Sequence, residues 1–214
     1  DLFAGAGGLS YGLGQVGIEA KVAIEVEKDF CKTFELNHKH SRVIDNDIAN
    51  INFKKLAKEE NNKFDVVCGG PPCQGFSTVG SKNEKDRRNS LFWQFLRAVD
   101  EINPRIVLFE NVSGFKKLYK GVAYDTLISE LGKLGYQVKS EILDAADYGA
   151  PQHRKRTIVI GYKEDMSFNF PLPTHSKKGN LFTKKYNVLS DAISDLPHLV
   201  ANDSKTSYLK SKTA

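Results

Sequence analysis

The chain has 214 residues, 40% hydrophobic and 27% charged, enough for one large domain or for one domain and the start of a second. Its three cysteines, none in a CxxC pair, exclude a disulfide framework and a structural zinc site and suit a reducing cytoplasm; no apolar run approaches the roughly eighteen residues of a membrane span. The net charge of +5 is uneven, because from Lys177 onward seven lysines face three aspartates, which reads either as solvated surface or as an edge turned toward a polyanion. The first residue is Asp1 rather than methionine, so the numbering is expected to start inside a longer protein.

In chain order, β-branched runs at 21–25, 42–47, 64–70, 105–111, 136–145 and 157–162 predict strands. Apolar residues at helical spacing predict helices over 29–38, 90–102 and 122–134. Strands alternating with helices predict an α/β fold with a mostly parallel sheet and ligands at the carboxyl ends of the strands. Only a short loop separates the last two strands, which predicts an antiparallel pairing there. Beyond Tyr162 the pattern degrades into prolines 171 and 173, a lysine-rich stretch and a short helix over 188–196. We therefore expect a globular unit over 1–175 and a basic linker over 176–214.

The opening DLFAGAGGLS places glycines 5, 7 and 8 at a strand-to-helix turn, where backbone N–H groups can approach a ligand. It departs from GxGxxG at Ser10, so a nucleotide cofactor and a plain tight turn both remain open. Glu25 ends the strand at 21–25, about twenty residues on, where an acid can accept from ribose hydroxyls. Asp47 ends the strand at 42–47 and could accept from an adenine amino group; helix capping is the plainer reading of each acid.

In GGPPCQGFS, prolines 71 and 72 restrict the backbone before Cys73 and Gly75 permits a bend after it. That is a mount for a displayed thiolate nucleophile, whereas Cys31 and Cys68 read as buried and inert. The polar stretch 78–90 has the composition of a surface loop or of a lid closing on an anionic substrate. Glu110 and Asn111 end a hydrophobic strand, and a partly desolvated carboxyl there could donate a proton. Arg154 and Arg156 alternate on the way into the last strand, which puts both guanidiniums on one side.

These residues, in this order, resemble the DNA (cytosine-5)-methyltransferases, particularly the bacterial restriction–modification enzymes. DLFAGAGG, Glu25, Asp47-Ile48, GGPPCQGFS, ENV (110–112) and QHRKR (152–156) carry the likeness over almost all of residues 1–161. The resemblance implies a Rossmann-like S-adenosylmethionine-dependent methyltransferase fold with helices on both faces of the sheet. It also implies S-adenosyl-L-methionine as cofactor, double-stranded DNA as partner, and methylation of cytosine C5 on a flipped base. By that likeness Cys73 adds to C6, Glu110 holds and protonates N3, Arg156 contacts the O2 edge, and Arg154 helps position the nucleophile and substrate. Phe3, Gly5, Gly7, Glu25, Val26, Asp47, Ile48, Pro72 and Leu91 fall at cofactor positions, and Gln74, Ser77, Arg88 and Asn111 on the substrate side. Val26 departs from the pattern, since many relatives carry an aromatic there to stack on adenine. The usual target-recognition region is absent from the chain, so a second subunit or a missing C-terminal region is expected to choose the DNA sequence. No metal is implied. The other readings are an RNA (tRNA) cytosine-5 methyltransferase of similar build, a catalytically silent DNA-binding homologue, and a nicotinamide-dependent dehydrogenase.

Overall fold

The computed structural model describes residues 1–61, 64–72 and 87–196, the side chains of 87–90 excepted. The chain divides into two units, residues 1–142 with 156–169, and residues 143–155 with 170–214.

The first unit is built on a sheet. Strand β1 (Val22–Glu25) pairs in parallel with β2 (Arg42–Asp45), and β3 (Val66–Gly69) in parallel with β4 (Ile106–Val112). Leu2 stitches the two pairs together through parallel bridges to Ile24 and Gly69, with its N–H on the Cys68 carbonyl at 2.8 Å. On the far side of β4 lies β6 (Lys155–Tyr162), antiparallel to it, and then β5 (Gln137–Asp144). The expected mostly parallel α/β sheet is therefore present, and β6 is the strand that reverses direction. Because it does, its first residues lie beside the carboxyl end of β4, with Arg156 opposite Val112.

The pleat decides which residues reach the core. In β4, Val107 and Phe109 point to one face and are fully buried, and Val159 of β6 joins them. Phe109 meets Phe95 edge-on at 5.3 Å and Phe115 at 5.1 Å between ring centroids, contacts worth about 0.5–1.5 kcal/mol each beyond burial. Helices α3 (Phe53–Glu59), α4 (Arg87–Ile102) and α5 (Val122–Lys133) supply the rest of this core through Phe53, Phe92, Phe95, Leu127 and Leu131. On the other face Ala23 packs with Ala4 and with Phe34 of α2 (Lys28–Asn37). Neighbours along β1 thus serve opposite faces, and helices cover both.

Among the described residues this unit also holds α1 (Gly8–Gly14), the helix after the expected strand-to-helix turn, and α3, for which the sequence raises no expectation. In α3, Phe53, Leu56 and Ala57 make a buried stripe, and Asn52 caps the helix by accepting from the Lys55 N–H at 2.9 Å.

The second unit holds a short 3-10 turn over Ala145–Tyr148, the two-residue parallel pair β7 (His175–Ser176) and β8 (Lys184–Lys185), and α6 (Leu189–Ile193). Residues 174–187, largely within the span expected as linker, are pinned to that turn. The Thr174 N–H donates to the Asp147 carbonyl (2.9 Å), the Tyr186 hydroxyl to the Asp147 carboxylate (2.6 Å) and the Asn187 amide to the Gly149 carbonyl (2.7 Å).

Candidate active site

A cavity of about 680 Å³ opens at the carboxyl ends of the strands in the first unit. Phe3, Gly5, Glu25, Val26, Asp47, Ile48, Pro72 and Leu91 line it, eight of the nine residues expected at the cofactor. Glu25 is held in place by backbone: Oε2 accepts from the Gly5 N–H at 2.7 Å, and Oε1 from the N–H groups of Val26 (2.9 Å) and Glu27 (3.0 Å). A carboxylate offers about four acceptor sites, so a ribose hydroxyl can still be received. Phe3 takes a left-handed backbone conformation (φ 58°), a strained state for a bulky residue that marks the loop as over-determined by its surroundings.

Gly7, the ninth residue, does not line the cavity; it caps α1 at φ 94°. A Cβ there would lie 2.4 Å from His38 Nε2 and 2.8 Å from the Phe34 ring, so only glycine lets α1 approach α2 this closely. Ser10, standing where GxGxxG would have its third glycine, is buried and donates to the Asp1 carboxylate at 2.6 Å. The departure from the dinucleotide pattern therefore has a structural task of its own.

Asp47 accepts from the Ala49 N–H at 2.9 Å and so caps a short 3-10 helix over Ile48–Asn50. That helix is gripped from α4 by Arg97, a residue sequence reasoning missed. Its guanidinium donates to the carbonyls of Ile51 (2.9 Å) and Ile48 (3.0 Å), stacks over Phe53 at 4.7 Å, and is steadied by Gln94 (2.6 Å) and Glu101 (3.3 Å). Nothing in an amphipathic helix pattern distinguishes such an arginine from a solvated one.

Phe30 was missed as well. It lines the cavity while 49% exposed, one helical turn beyond Val26. The buried stripe of α2 is Cys31 and Phe34, so Phe30 stands off the core face, and that off-stripe aromatic was the available signal. Phe30 thus brings an aromatic ring from α2 to the cavity that Val26 also lines.

The cavity suits an adenosine-containing ligand in size, in the Glu25 carboxylate with acceptor capacity to spare for a hydroxyl, and in its apolar walls of Val26, Phe30, Ile48 and Leu91.

Beside this cavity β3 runs out through Gly69 and Gly70 into Pro71, which is buried. Asn111, expected against the substrate, is 6% exposed; its amide donates to the Pro71 carbonyl at 2.9 Å and its oxygen accepts from the Val112 N–H at 2.9 Å. It fastens Pro71, two residues before Cys73 in the chain. Glu110, on the opposite face of β4 from Phe109, carries a carboxylate paired to Arg156 Nε at 2.8 Å. Gly70 lies against it: a Cβ at this position would sit 2.8 Å from Glu110 Oε2 and 3.3 Å from the Glu110 carbonyl.

Cys73, Gln74, Ser77 and the stretch 73–86 lie outside the described residues, as does the side chain of Arg88, whose backbone is in the first turn of α4. Cys31 and Cys68 are both buried and unpaired by disulfide, as expected. Burial, reinforced by the carboxylates of Asp45, Glu25 and Glu35, pushes the Cys31 thiol up and away from nucleophilic use.

Arg154 belongs to the second unit. Strand β6 begins at Lys155, directly after Arg154. Its N–H donates to Asp144 Oδ1 at 2.9 Å and its carbonyl accepts from the Ala145 N–H at 3.1 Å. Asp144 also receives the Ala146 N–H (3.3 Å) and pairs through Oδ2 with His153 Nδ1 (2.9 Å). Burial works to push the Asp144 carboxyl up, but His153 and the N–H groups of Ala146 and Arg154 outweigh it and hold the carboxyl below the usual range.

Residues 1–214 match the family described as C-5 cytosine-specific DNA methylase. The chain belongs to that family, whose membership implies S-adenosyl-L-methionine as methyl donor. Among curated proteins it is 36% identical over 207 residues to the type II methyltransferase M1.HphI of Haemophilus parahaemolyticus, covering 95% of this chain and 54% of that one. It is 38% identical over 206 residues to M.DdeI of Desulfomicrobium norvegicum (95% and 49%). It is 36% identical over 216 residues to M.AquIA of Picosynechococcus (92% and 87%). The chain thus spans about half the length of the first two relatives and most of the third. Among solved structures it resembles a prophage-encoded E. coli protein described as a DNA modification methyltransferase (TM-score 0.74, 30% identity, 94% of this chain and 55% of that one). It shares its fold with the Dnmt2 methyltransferase of S. pombe (TM-score 0.66, 24% identity, 79% and 51%).

Proposed function

We propose that this chain is the catalytic part of a bacterial DNA (cytosine-5)-methyltransferase of the restriction–modification type. It acts on duplex DNA in the cytoplasm, through a covalent bond between Cys73 Sγ and cytosine C6. The observation that carries the reading is the Glu110–Arg156 pair, 2.8 Å apart at the carboxyl end of β4, in the same unit as the cavity lined by Glu25, Asp47 and Pro72. Relatives named type II methyltransferases, matched over 95% of the chain, support it.

In the proposed sequence the cytosine leaves the duplex stack, at a cost of a few kcal/mol. The Cys73 thiolate forms a bond to C6, and the electron pair of the C5–C6 double bond moves toward N3. Glu110 holds N3 and the exocyclic amine and delivers a proton to N3, so that no full anion builds on the ring. Arg156 fixes the Glu110 carboxylate and addresses the O2 edge of the base, and Arg154 helps position the substrate. When bound, S-adenosyl-L-methionine supplies the electrophilic methyl group that C5 takes up. Glu25 would hold its ribose, Asp47 and Ile48 its adenine edge, Val26, Phe30 and Leu91 the ring faces, and Phe3, Gly5 and Pro72 the remaining walls. Gly7 acts through the packing of α1. A base then takes the C5 proton, the C5–C6 double bond re-forms as the Cys73 thiolate departs, and N3 returns its proton to the Glu110 carboxylate. Gln74, Ser77 and Arg88 are proposed on the DNA side, and Asn111 as the residue that holds Pro71. Target choice is assigned to a target-recognition region or second subunit outside these 214 residues.

The test uses the protein as the cell makes it, with labelled S-adenosyl-L-methionine and genomic duplex DNA, followed by nucleoside analysis. Label in 5-methylcytosine is expected. Label in RNA cytosine alone, or in no nucleoside, overturns the reading.

A further inference from the structure

The loop 177–185 of the second unit has no part in the chemistry above, yet it shows an unusual surface. Leu181 is 98% exposed and Phe182 91% exposed. Hydrogen bonds within the loop hold its tip in shape. The Asn180 side-chain oxygen accepts from the N–H groups of Phe182 (2.8 Å) and Thr183 (2.9 Å), and the Asn180 N–H donates to the Thr183 carbonyl (2.8 Å). At the base of the loop the Ser176 and Thr183 hydroxyls bond at 2.7 Å, and the Gly179 N–H reaches Ser176 Oγ at 3.2 Å. The loop is internally stapled, with its two largest apolar side chains directed outward.

The charge around this tip is of one sign. Lys177 and Lys178 precede it, Lys184 and Lys185 follow it, all four are exposed, and none makes an ion pair among the described residues. No aspartate or glutamate occurs between Asp165 and Asp191. Cations without interleaved acids suit a polyanion, and an apolar pair between them suits a surface with a groove between its charged ridges. Duplex DNA has that form.

We propose that the loop 177–185 is a duplex-DNA contact in which the four lysines take phosphates and Leu181 and Phe182 press into the groove between them. This rests on the DNA-modifying reading above. It adds a sequence-independent grip made by this chain itself, separate from target choice.

The test is binding of the full protein to an unrelated duplex, by fluorescence anisotropy, across a salt series. Replacing all four lysines by glutamine should make the slope of log affinity against log salt shallower by about 3 to 4. Leu181→Ser with Phe182→Ser should leave the slope unchanged and weaken binding about 10-fold, within the range for loss of an apolar base contact. All six substituted side chains are exposed, and an unchanged Tm checks that the variants fold. If wild-type protein binds DNA and both variants match it in slope and affinity, the proposal is overturned while the proposed function stands. It is overturned equally if the variants lose affinity only for anionic vesicles or for another protein. If wild-type protein binds no DNA, both readings fall together.

Discussion

Arg156 Nε lies 2.8 Å from Glu110 Oε1, although the two are diagonal neighbours rather than direct cross-strand partners. Glu110 faces Ile158 across the ladder and Arg156 faces Val112. Both side chains stand on the same face of the sheet, opposite the one occupied by Phe109 and Val159, and diagonal residues are within reach of long side chains. The pairing exists because β6 runs antiparallel to β4. A parallel β6 would have placed the start of that strand at the other end of the sheet.

Replacing Glu110 by glutamine keeps the shape and removes the proton to be delivered. Turnover is expected to fall about 10²- to 10⁴-fold, the usual range for a lost general acid, with DNA affinity little changed. Arg156→Lys keeps the charge but loses the planar fork, and is expected to lower kcat more than it raises KM. Steady-state kinetics with a defined duplex checks both.

Gly70→Ala tests the packing behind the carboxylate. The added Cβ would lie 2.8 Å from Glu110 Oε2 and 3.3 Å from the Glu110 carbonyl, so both the side chain and backbone must give way. A loss of about 1–3 kcal/mol is expected from such overpacking. Activity should fall further than that stability loss accounts for, because the displaced atom belongs to the proposed acid. Thermal unfolding and methyl transfer measured side by side separate the two effects.

Arg97→Met removes the grip on the carbonyls of Ile48 and Ile51. The Ile51 carbonyl loses its donor, at a cost of about 1–3 kcal/mol where water does not replace it, while the Ile48 carbonyl keeps the Ile51 N–H at 3.2 Å. Affinity for S-adenosyl-L-homocysteine, read by calorimetry, should weaken about 10-fold or more, with little change in DNA binding. Phe30→Ala should weaken the same affinity without lowering Tm, since Phe30 is 49% exposed.

The Asp144 carboxyl is held below the ordinary carboxylate range in the folded protein. Its contribution to stability is therefore present above the unfolded-state value, about 3.9, and is lost as pH falls through the lower folded-state value. The Tm difference between wild type and Asp144→Asn should be largest near neutral pH and shrink below about pH 4. A difference independent of pH would mean that the charge is immaterial and only the hydrogen bonds to Ala146 and Arg154 count.

Much of this was legible before any coordinates. Strands β1, β3, β4 and β6 announce themselves as apolar, β-branched runs because they are largely buried, whereas β2 and β5, exposed at half their residues, show only alternation. Helices α2, α4 and α5 are long enough for their periodicity to register, whereas α1 and α3, at seven residues each, are not. At the site, Glu25, Asp47 and Glu110 are readable because each lies within two residues of a strand's carboxyl end, and such ends are where the sheet presents its ligands. Arg97 and Phe30 were hidden for the converse reason: each acts from a helix face, on a partner brought near only by the tertiary fold. Arg154 directly precedes β6, as the sequence placed it, but that its N–H is held by the Asp144 carboxylate was not legible there. Asn111 sits in a motif that points to the substrate, while its own amide is used on Pro71.

The central claim is that Cys73, two residues after the Pro71 that Asn111 fastens, forms a covalent bond to C6 of a flipped cytosine beside Glu110. Duplex DNA carrying 5-fluorocytosine at the target tests it most directly, because fluorine at C5 cannot leave as a proton and the adduct is trapped. With S-adenosyl-L-methionine present, denaturing electrophoresis and mass spectrometry should show a DNA-linked peptide containing Cys73, and Cys73→Ser should show none. An active wild-type protein that yields no adduct, or an undiminished adduct in Cys73→Ser, would contradict the account.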